Sequence, residues 1–282
     1  MSTLVTKADG TQEPFKMEKL RRSLHRAGAT KDEIVDICKK IEADLHDGIT
    51  TQAIYRKAFE YLRASEAPVA ARYSLRRALF GLGPTGFPFE DYLARLFAAE
   101  GYTTKVRLTM RGKCATHEID VAAYNDTDSF VAEAKFHARP GIKSDLQVAL
   151  YSFARLHDLR EQNICTADHC GIKRFMIVTN TKFTSAARDY AECSGVELLS
   201  WDYPRENSLH DRIQKAHIYP ITVLQSLSQA QQRTLIERGV IVCSDLVENP
   251  QLLRHIHVSQ KKHERIINEA KHLCTHDGAV VH

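Results

Sequence analysis

Residues 81–89 read GLGPTGFPF, with three glycines and two prolines in nine positions. Proline removes a backbone donor, and glycine loses the most conformational freedom on ordering, so neither a helix nor a strand runs through such a stretch. The chain must break here, and its two sides carry different patterns. Upstream, Asp9-Gly10 is a turn signal between two short extended runs, and helices are expected over 17–28, 31–46, 51–65 and 68–82. In the second of these, Ile34, Ile37, Ile41 and Leu45 recur at spacings of three and four and form one apolar stripe. Downstream, the periodicity predicts a helix over 88–100, strands over 103–111, 116–124 and 129–136, a helix over 144–161, a strand over 174–179, a helix over 183–194 and a strand near 196–201. That order, αβββαβαβ, builds a mixed sheet flanked by helices. A polar passage follows Trp201, then an all-helical tail from about 217 to 274. The chain thus divides into residues 1–83, 84–204 and 205–282.

With 43% hydrophobic and 26% charged residues, the 282-residue chain has globular rather than disordered or fibrous composition. Its formal charge of +4 does not mark a nucleic-acid binder, because phosphate binding depends on where cations cluster. Strand alternation over 105–111 places Lys105, Arg107, Thr109 and Arg111 on one face, a cationic ridge able to attract a phosphate backbone. Lys261, Lys262, Arg265 and Lys271 in the last helix are expected to be a solvated face. No run approaches the roughly 20 apolar residues of a membrane span, and MSTLVTKADG lacks a signal-peptide core, so a cytoplasmic protein without a membrane partner is expected. Seven scattered cysteines favour reduced thiols over a disulfide framework. Cys165, His169 and Cys170 cluster in CTADHC, but their spacing matches no zinc pattern, and ordinary thiols are the simpler reading.

The densest chemistry lies in ATHEIDVAAYNDTDSFVAEAKFH, residues 115–137. Alternation in its second strand puts Val131, Glu133 and Lys135 on one side and Phe130, Ala132, Ala134 and Phe136 on the other. The turn NDTD, 125–128, folds Asp120 back beside them. Two converging carboxylates repel unless a divalent cation lies between them, and Mg²⁺ suits a site with few oxygen ligands that is completed by water and phosphate. Lys135 could orient a water or neutralise charge developing on a phosphate. The same three residues would also serve as solvated surface charges; the order of elements around them is what favours a site.

In this strand context the D, E-x-K spacing resembles the PD-(D/E)xK nucleases, and residues 86–201 as a whole resemble their Mrr-type restriction endonuclease branch. The resemblance implies metal ligation by Asp120 and Glu133 and a catalytic role for Lys135. It also implies an acidic residue in the preceding helix, Glu90 of FEDYLARLF, and a glutamine in the following one, Gln147 of KSDLQVALYSFARL. Ile119 precedes Asp120 where the family's name has proline. Residues 1–83, with LVTKADG, a following Phe, E-K-L, DGITTQAIY and AARYSLRRALF, resemble an ATP-cone, the nucleotide-sensing module. The resemblance implies Val5, Lys7, Lys19 and Thr51 as candidate nucleotide contacts, with Ala8 where a second basic residue usually stands. No Walker A loop is present, so nucleotide hydrolysis is not expected here. In the tail, LIERGVIVCSDL resembles half of a helix-hairpin-helix module, whose glycine-rich hairpin is replaced by SLSQAQ.

Together these resemblances imply an α/β fold: a mixed-sheet restriction endonuclease-like core, an N-terminal mainly helical ATP-cone and a C-terminal all-helical tail. The function implied is Mg²⁺-dependent DNA cleavage regulated by ATP or dATP. Two alternatives remain open: a nucleotide-gated DNA-binding protein that does not cut, and a nuclease selecting repair or junction structures. One active site cuts one strand, so duplex cleavage implies a homo-oligomer or repeated action.

Overall fold

A computed structural model describes residues 3–65, 67–165 and 171–275. The N-terminal hairpin pairs β1 (Leu4–Thr6) with β2 (Gln12–Pro14) around Gly10, whose φ of +82° suits glycine. Four helices follow: α1 (Met17–Arg26), α2 (Lys31–Asp44), α3 (Thr51–Ser65) and α4 (Ala67–Phe80). Thr30 and Glu33 form a capping box that starts α2. The hairpin is tied to the start of α3 by a bridge between Thr6 and Thr50. Val5, Leu20, Leu24, Ile37, Ile41, Ile54 and Leu62 form the core of this unit.

The glycine- and proline-rich break falls between Phe80 and Phe87, as its composition requires. Beyond it lie α5 (Phe87–Ala99), β3 (Thr103–Arg111), β4 (Thr116–Tyr124), β5 (Ser129–Lys135), β6 (Lys143–Ser144), α6 (Leu146–Leu159), β7 (Arg174–Thr179), β8 (Lys182–Phe183), α7 (Ser185–Ser194) and β9 (Glu197–Leu199). Five of these strands form one mixed sheet in the order β3-β4-β5-β7-β9. The β3-β4-β5 meander is antiparallel, and β7 and β9 run parallel to β5. β6 and β8 make a separate two-residue parallel pair. Helix α5 covers one face through Phe89, Leu93, Leu96 and Phe97, with Phe97 edge-on to Phe130 at 5.0 Å. Helices α6 and α7 cover the other face with Ala149, Leu159, Ala187 and Ala191.

The tail begins at α8 (Leu209–Ala216), earlier than expected, where Ser208 and Asp211 form a capping box inside the polar passage. Then come α9 (Gln229–Glu237), α10 (Cys243–Glu248) and α11 (Gln260–Cys274). Leu209, Ile213, Tyr219, Leu246 and Ile266 join the same core as α5 and the sheet. Arg212 pairs with Glu100, and buried Tyr92 donates to the Ile218 carbonyl at 2.7 Å. We keep the division at residues 83 and 204 as a proposal based on chain order, since the core itself crosses both points. No helix among the described residues is long and apolar enough to cross a membrane.

Tyr92→Phe removes a hydroxyl that ties α5 to the start of the tail, leaving the Ile218 carbonyl without this donor. We expect it to lower unfolding stability by about 1 kcal/mol, read as a smaller urea midpoint at unchanged slope.

Candidate active site

The turn joining β4 to β5 is closed by Asn125, whose side-chain oxygen accepts from the amides of Thr127 and Asp128 at 3.0 and 2.9 Å. From there the antiparallel ladder runs from Tyr124 opposite Ser129 to Val121 opposite Ala132, and stops. Where the next rung would lie, the Asp120 carboxylate accepts the Ala134 N–H at 2.7 Å. The two strands part at this point, opening a cleft of about 320 Å³ lined by Asp120, Glu133, Lys135, Tyr151 and Arg155, with Thr116, His117 and Glu118 at its side.

The alternation of β5 is as expected. Phe130, Ala132, Ala134 and Phe136 pack toward α5, and Val131 packs toward α6. Glu133, on the α6 side, is only 4% exposed. One of its oxygens accepts from Lys135 Nζ at 2.5 Å and the other from the Arg155 guanidinium. Arg155 also donates to the Glu118 carbonyl and lies 5.5 Å from the centre of the Tyr151 ring. Burial, and then the negative charge of Glu133, push the Asp120 carboxyl up to about 6; the Ala134 amide, Lys135 and Arg155 oppose the shift.

Of the remaining residues expected here, Glu90 lies outside the cleft lining but close enough to feel Asp120. Burial chiefly raises its pKa and the Asp120 charge adds to that, while a hydrogen bond from Arg107 at 3.1 Å opposes it. Gln147 is exposed and does not line the cleft. Arg155 and Tyr151, absent from the sequence reading, do line it. Gln147, Tyr151 and Arg155 follow one another at intervals of four on α6, so extending the stripe from Gln147 would have found them.

The cationic ridge on β3 is corrected by the structure. Arg107 adopts φ of +52° in mid-strand, which interrupts the regular alternation of faces. Val106 packs with the α5-side core, whereas Leu108 and Met110 pack with the α6-side core. Lys105 donates to the Ile164 carbonyl at 3.1 Å, and Arg107 is held by Glu90 and by Asp91 at 2.7 Å. Arg111 stays exposed, opposite Thr116 at the cleft rim.

Asp120 and Glu133 supply oxygens of the kind Mg²⁺ takes, and the two Glu133 oxygens are already met by Lys135 and Arg155. A bound cation would oppose the burial and the Glu133 charge that raise the Asp120 pKa. Among the described residues, no group of three or more His, Cys, Asp or Glu side chains is placed to hold a metal by itself. Cys165 is disulfide-bonded, against its expected reading as an ordinary thiol, while Cys38, Cys114, Cys193, Cys243 and Cys274 are free, in keeping with reduced thiols rather than a disulfide framework; His169 and Cys170 lie outside the described residues.

In the N-terminal unit, Lys7 and Lys19 converge on Glu13 at 2.6 and 2.8 Å. Together they hold the Glu13 carboxyl at about 2. Val5 is buried in the core of this unit, and Thr51 is half-buried at the start of α3. In the tail, the backbone amides of Gln225 and Ser226 donate to Glu269 at 2.6 and 3.0 Å, and that of Ser228 donates to Gln231. The SLSQAQ turn thus uses these amides internally.

An uncharacterised protein of Archaeoglobus fulgidus is 34% identical to this chain over 180 residues, which is 64% of this chain and 98% of the relative. Residues 219–274 match the family described as AF1548-like, C-terminal. The chain belongs to the AF1548-like family. A crystal structure of AF1548, a protein of unknown function, superposes on this AF1548-like protein with a TM-score of 0.54 and 32% identity, covering 66% of this chain and 97% of that one. Residues 3–79 match the ATP cone domain and residues 84–203 the restriction endonuclease family. The protein is therefore an ATP-cone joined to a Mrr-type restriction endonuclease-like domain, as its motifs implied.

Asp120 carries a pKa in the folded protein above its ordinary 3.8, so its ionisation weakens the metal-free fold. The sign is set by the protons: the folded state holds one more tightly, so this group's destabilisation is absent below about pH 4, grows as pH rises and is complete above about pH 6. Asp120→Asn keeps an acceptor for Ala134 and removes the charge. We expect it to be more stable than wild type by about 1 to 2 kcal/mol at pH 8, after allowance for solvent screening, and equal to it below pH 4; urea unfolding across pH checks this.

Proposed function

We propose that this protein is a Mg²⁺-dependent DNA endonuclease whose activity is regulated by ATP or dATP at the cone. The observation that carries the reading is the meeting of Asp120, Glu133 and Lys135 in one open cleft where β4 and β5 part. Asp120 and Glu133 would hold Mg²⁺, which when bound supplies positive charge to a phosphoryl oxygen. Lys135 lies on the same cleft wall, where its ammonium would orient an attacking water or meet the charge that grows on the scissile phosphate. Arg155 positions Glu133 and adds a second cation, and Arg111 at the rim offers a contact to the DNA backbone. One such cleft cuts one strand at a time, so duplex cleavage calls for a second copy or a second event.

A nucleotide-gated DNA binder that does not cut is the second reading. It is favoured by the engagement of both Glu133 oxygens with Lys135 and Arg155. Plasmid, branched and single-stranded DNA, with and without Mg²⁺, separate the readings, and branched DNA also tests for structure selectivity. We expect nicking that needs Mg²⁺, and loss of at least about a hundredfold in rate for Asp120→Ala, Glu133→Ala and Lys135→Ala alike. Wild-type DNA binding without nicking under every condition would establish the non-cutting alternative.

For regulation, the lysines around Glu13 are the proposed phosphate contacts, and a nucleotide matters only if it favours one state over another. Lys7→Ala is expected to weaken ATP or dATP binding by about ten- to a hundredfold and to uncouple nucleotide from nicking, measured by calorimetry beside the plasmid assay.

A further inference from the structure

A cleft of about 440 Å³ lies where the cone meets the nuclease sheet and the start of the tail, in the size range of small-molecule sites. Six of its lining residues are cations: Lys19, Arg22 and Arg26 from α1, Arg72 and Arg76 from α4, and Lys182 from β8. The carboxylate that faces them from the lining is Asp202. Some of these charges are already engaged. Lys182 pairs with Asp202 at 2.5 Å, Lys19 with Glu13 at 2.8 Å, and Arg26 is 3.9 Å from Asp211, while Arg72 Nε donates to the Ala27 carbonyl at 2.9 Å. That leaves an excess of positive charge along one wall.

The same wall carries unspent hydrogen-bonding groups. Arg76 Nε and the Tyr55 hydroxyl are both buried, with no hydrogen-bond partner among the described residues. Such groups are rare in folded proteins and call for a ligand or an ordered water. Burial lowers the pKa of Arg76, with Asp202 opposing, as for a cation drawn out of solvent without a close counter-charge. Its guanidinium is held 5.9 Å from the centre of the Trp201 ring, and Tyr55 stacks on Tyr73 at 5.0 Å, so aromatic faces fix the wall.

We propose that this cleft is a binding site for an oligophosphate, either a nucleotide's phosphate chain or a free polyphosphate, built jointly by the cone and the nuclease domain. A multiply charged anion satisfies the convergent cations and supplies acceptors for the unpaired donors. Bound there, it links α1 and α4 to β8 and holds the two domains in one arrangement. Val5, Lys7 and Thr51 do not line this cleft, and Lys19 is the residue shared with the expected cone contacts. No residue is shared with the Asp120–Glu133 cleft, so the inference stands or falls apart from cleavage.

Calorimetry of the full chain, with sodium tripolyphosphate and with ATP in the absence of Mg²⁺, tests it. We expect tripolyphosphate to bind, and the exposed-site variants Arg22→Ala and Lys182→Ala each to bind about tenfold or more weakly, while Lys261→Ala on α11 binds as wild type. ATP binding more tightly than tripolyphosphate at the same variant-sensitive site identifies a nucleotide as occupant; equal affinities identify the phosphate chain alone. Absence of any heat up to millimolar tripolyphosphate and ATP would overturn the proposal. So would binding that Lys7→Ala abolishes and both Arg22→Ala and Lys182→Ala leave intact, because the anion would then belong to the hairpin. Loss of nicking activity with anion binding preserved counts against the nuclease reading alone.

Discussion

Glu133 sets the terms for the structure around it. A carboxylate 4% exposed within a sheet is costly unless cations and hydrogen bonds meet it. Two cations do so from different directions: Lys135, two residues along the same strand and therefore on the same face, and Arg155 from a helix packed across that face. Arg155 is itself fixed by the Glu118 carbonyl on β4 and by Tyr151 one turn earlier. Through Arg155, this buried carboxylate links β4, β5 and α6 at a single point. Among the described residues Asp120 has no such cation within bonding distance; it has a backbone amide, and burial together with the charge of Glu133 raises its pKa.

The periodicities that place strands and helices are local, and so they were legible. β3, β4 and β7 have the bounds that alternation implied, and residues 81–86 of the glycine- and proline-rich stretch separate α4 from α5, while 87–89 begin α5 with Pro88 in its first turn, where a missing N–H costs nothing. Asp120, Glu133 and Lys135 meet because a short Asx-closed turn and a two-residue side-chain repeat leave them little choice. Arg155 was not legible in that way, since its link to Glu133 spans 22 residues and depends on helix-on-sheet packing. The cationic ridge failed for a related reason. Alternation assumes extended backbone throughout, and a single left-handed residue at Arg107, stabilised by Glu90 and Asp91 on α5, departs from it. The β6–β8 pair is too short for any period to show, and α8 was hidden because its capping box looks polar.

The three-part division of the chain does not become three independent cores. Ala71, Leu75, Ala78 and Leu79 of α4 pack with α5, the sheet and the tail, while Val69 and Ala70 pack with the cone. Thr222 in the tail donates to the Ala78 carbonyl at 2.7 Å, and the contact is buried. Helix α4 is thus common to the cone and to the layer covering one face of the nuclease sheet. A ligand that shifts α4 must therefore work against packed core rather than against a flexible linker, and packed cores shift between discrete arrangements more readily than they deform continuously.

The strand bearing Glu133 and Lys135 is held unequally on its two sides. Toward β4 the ladder ends at Val121 and Ala132, and the Asp120 carboxylate is what meets the Ala134 amide beyond it. Toward β7 the pairing continues without interruption to Lys135 opposite Thr179, whose hydroxyl donates to the Lys135 carbonyl at 2.7 Å. Asn180 then bonds both the amide and the carbonyl of His137, each at 2.9 Å. The lysine is therefore positioned from the β7 side. Two residues beyond Asn180, Lys182 lies on the wall between cone and sheet. One short segment, 179–182, fixes the end of the strand bearing Glu133 and Lys135 and reaches the cleft between cone and sheet, so a change of cone arrangement that moved this segment would bear on Lys135 before it bore on either carboxylate.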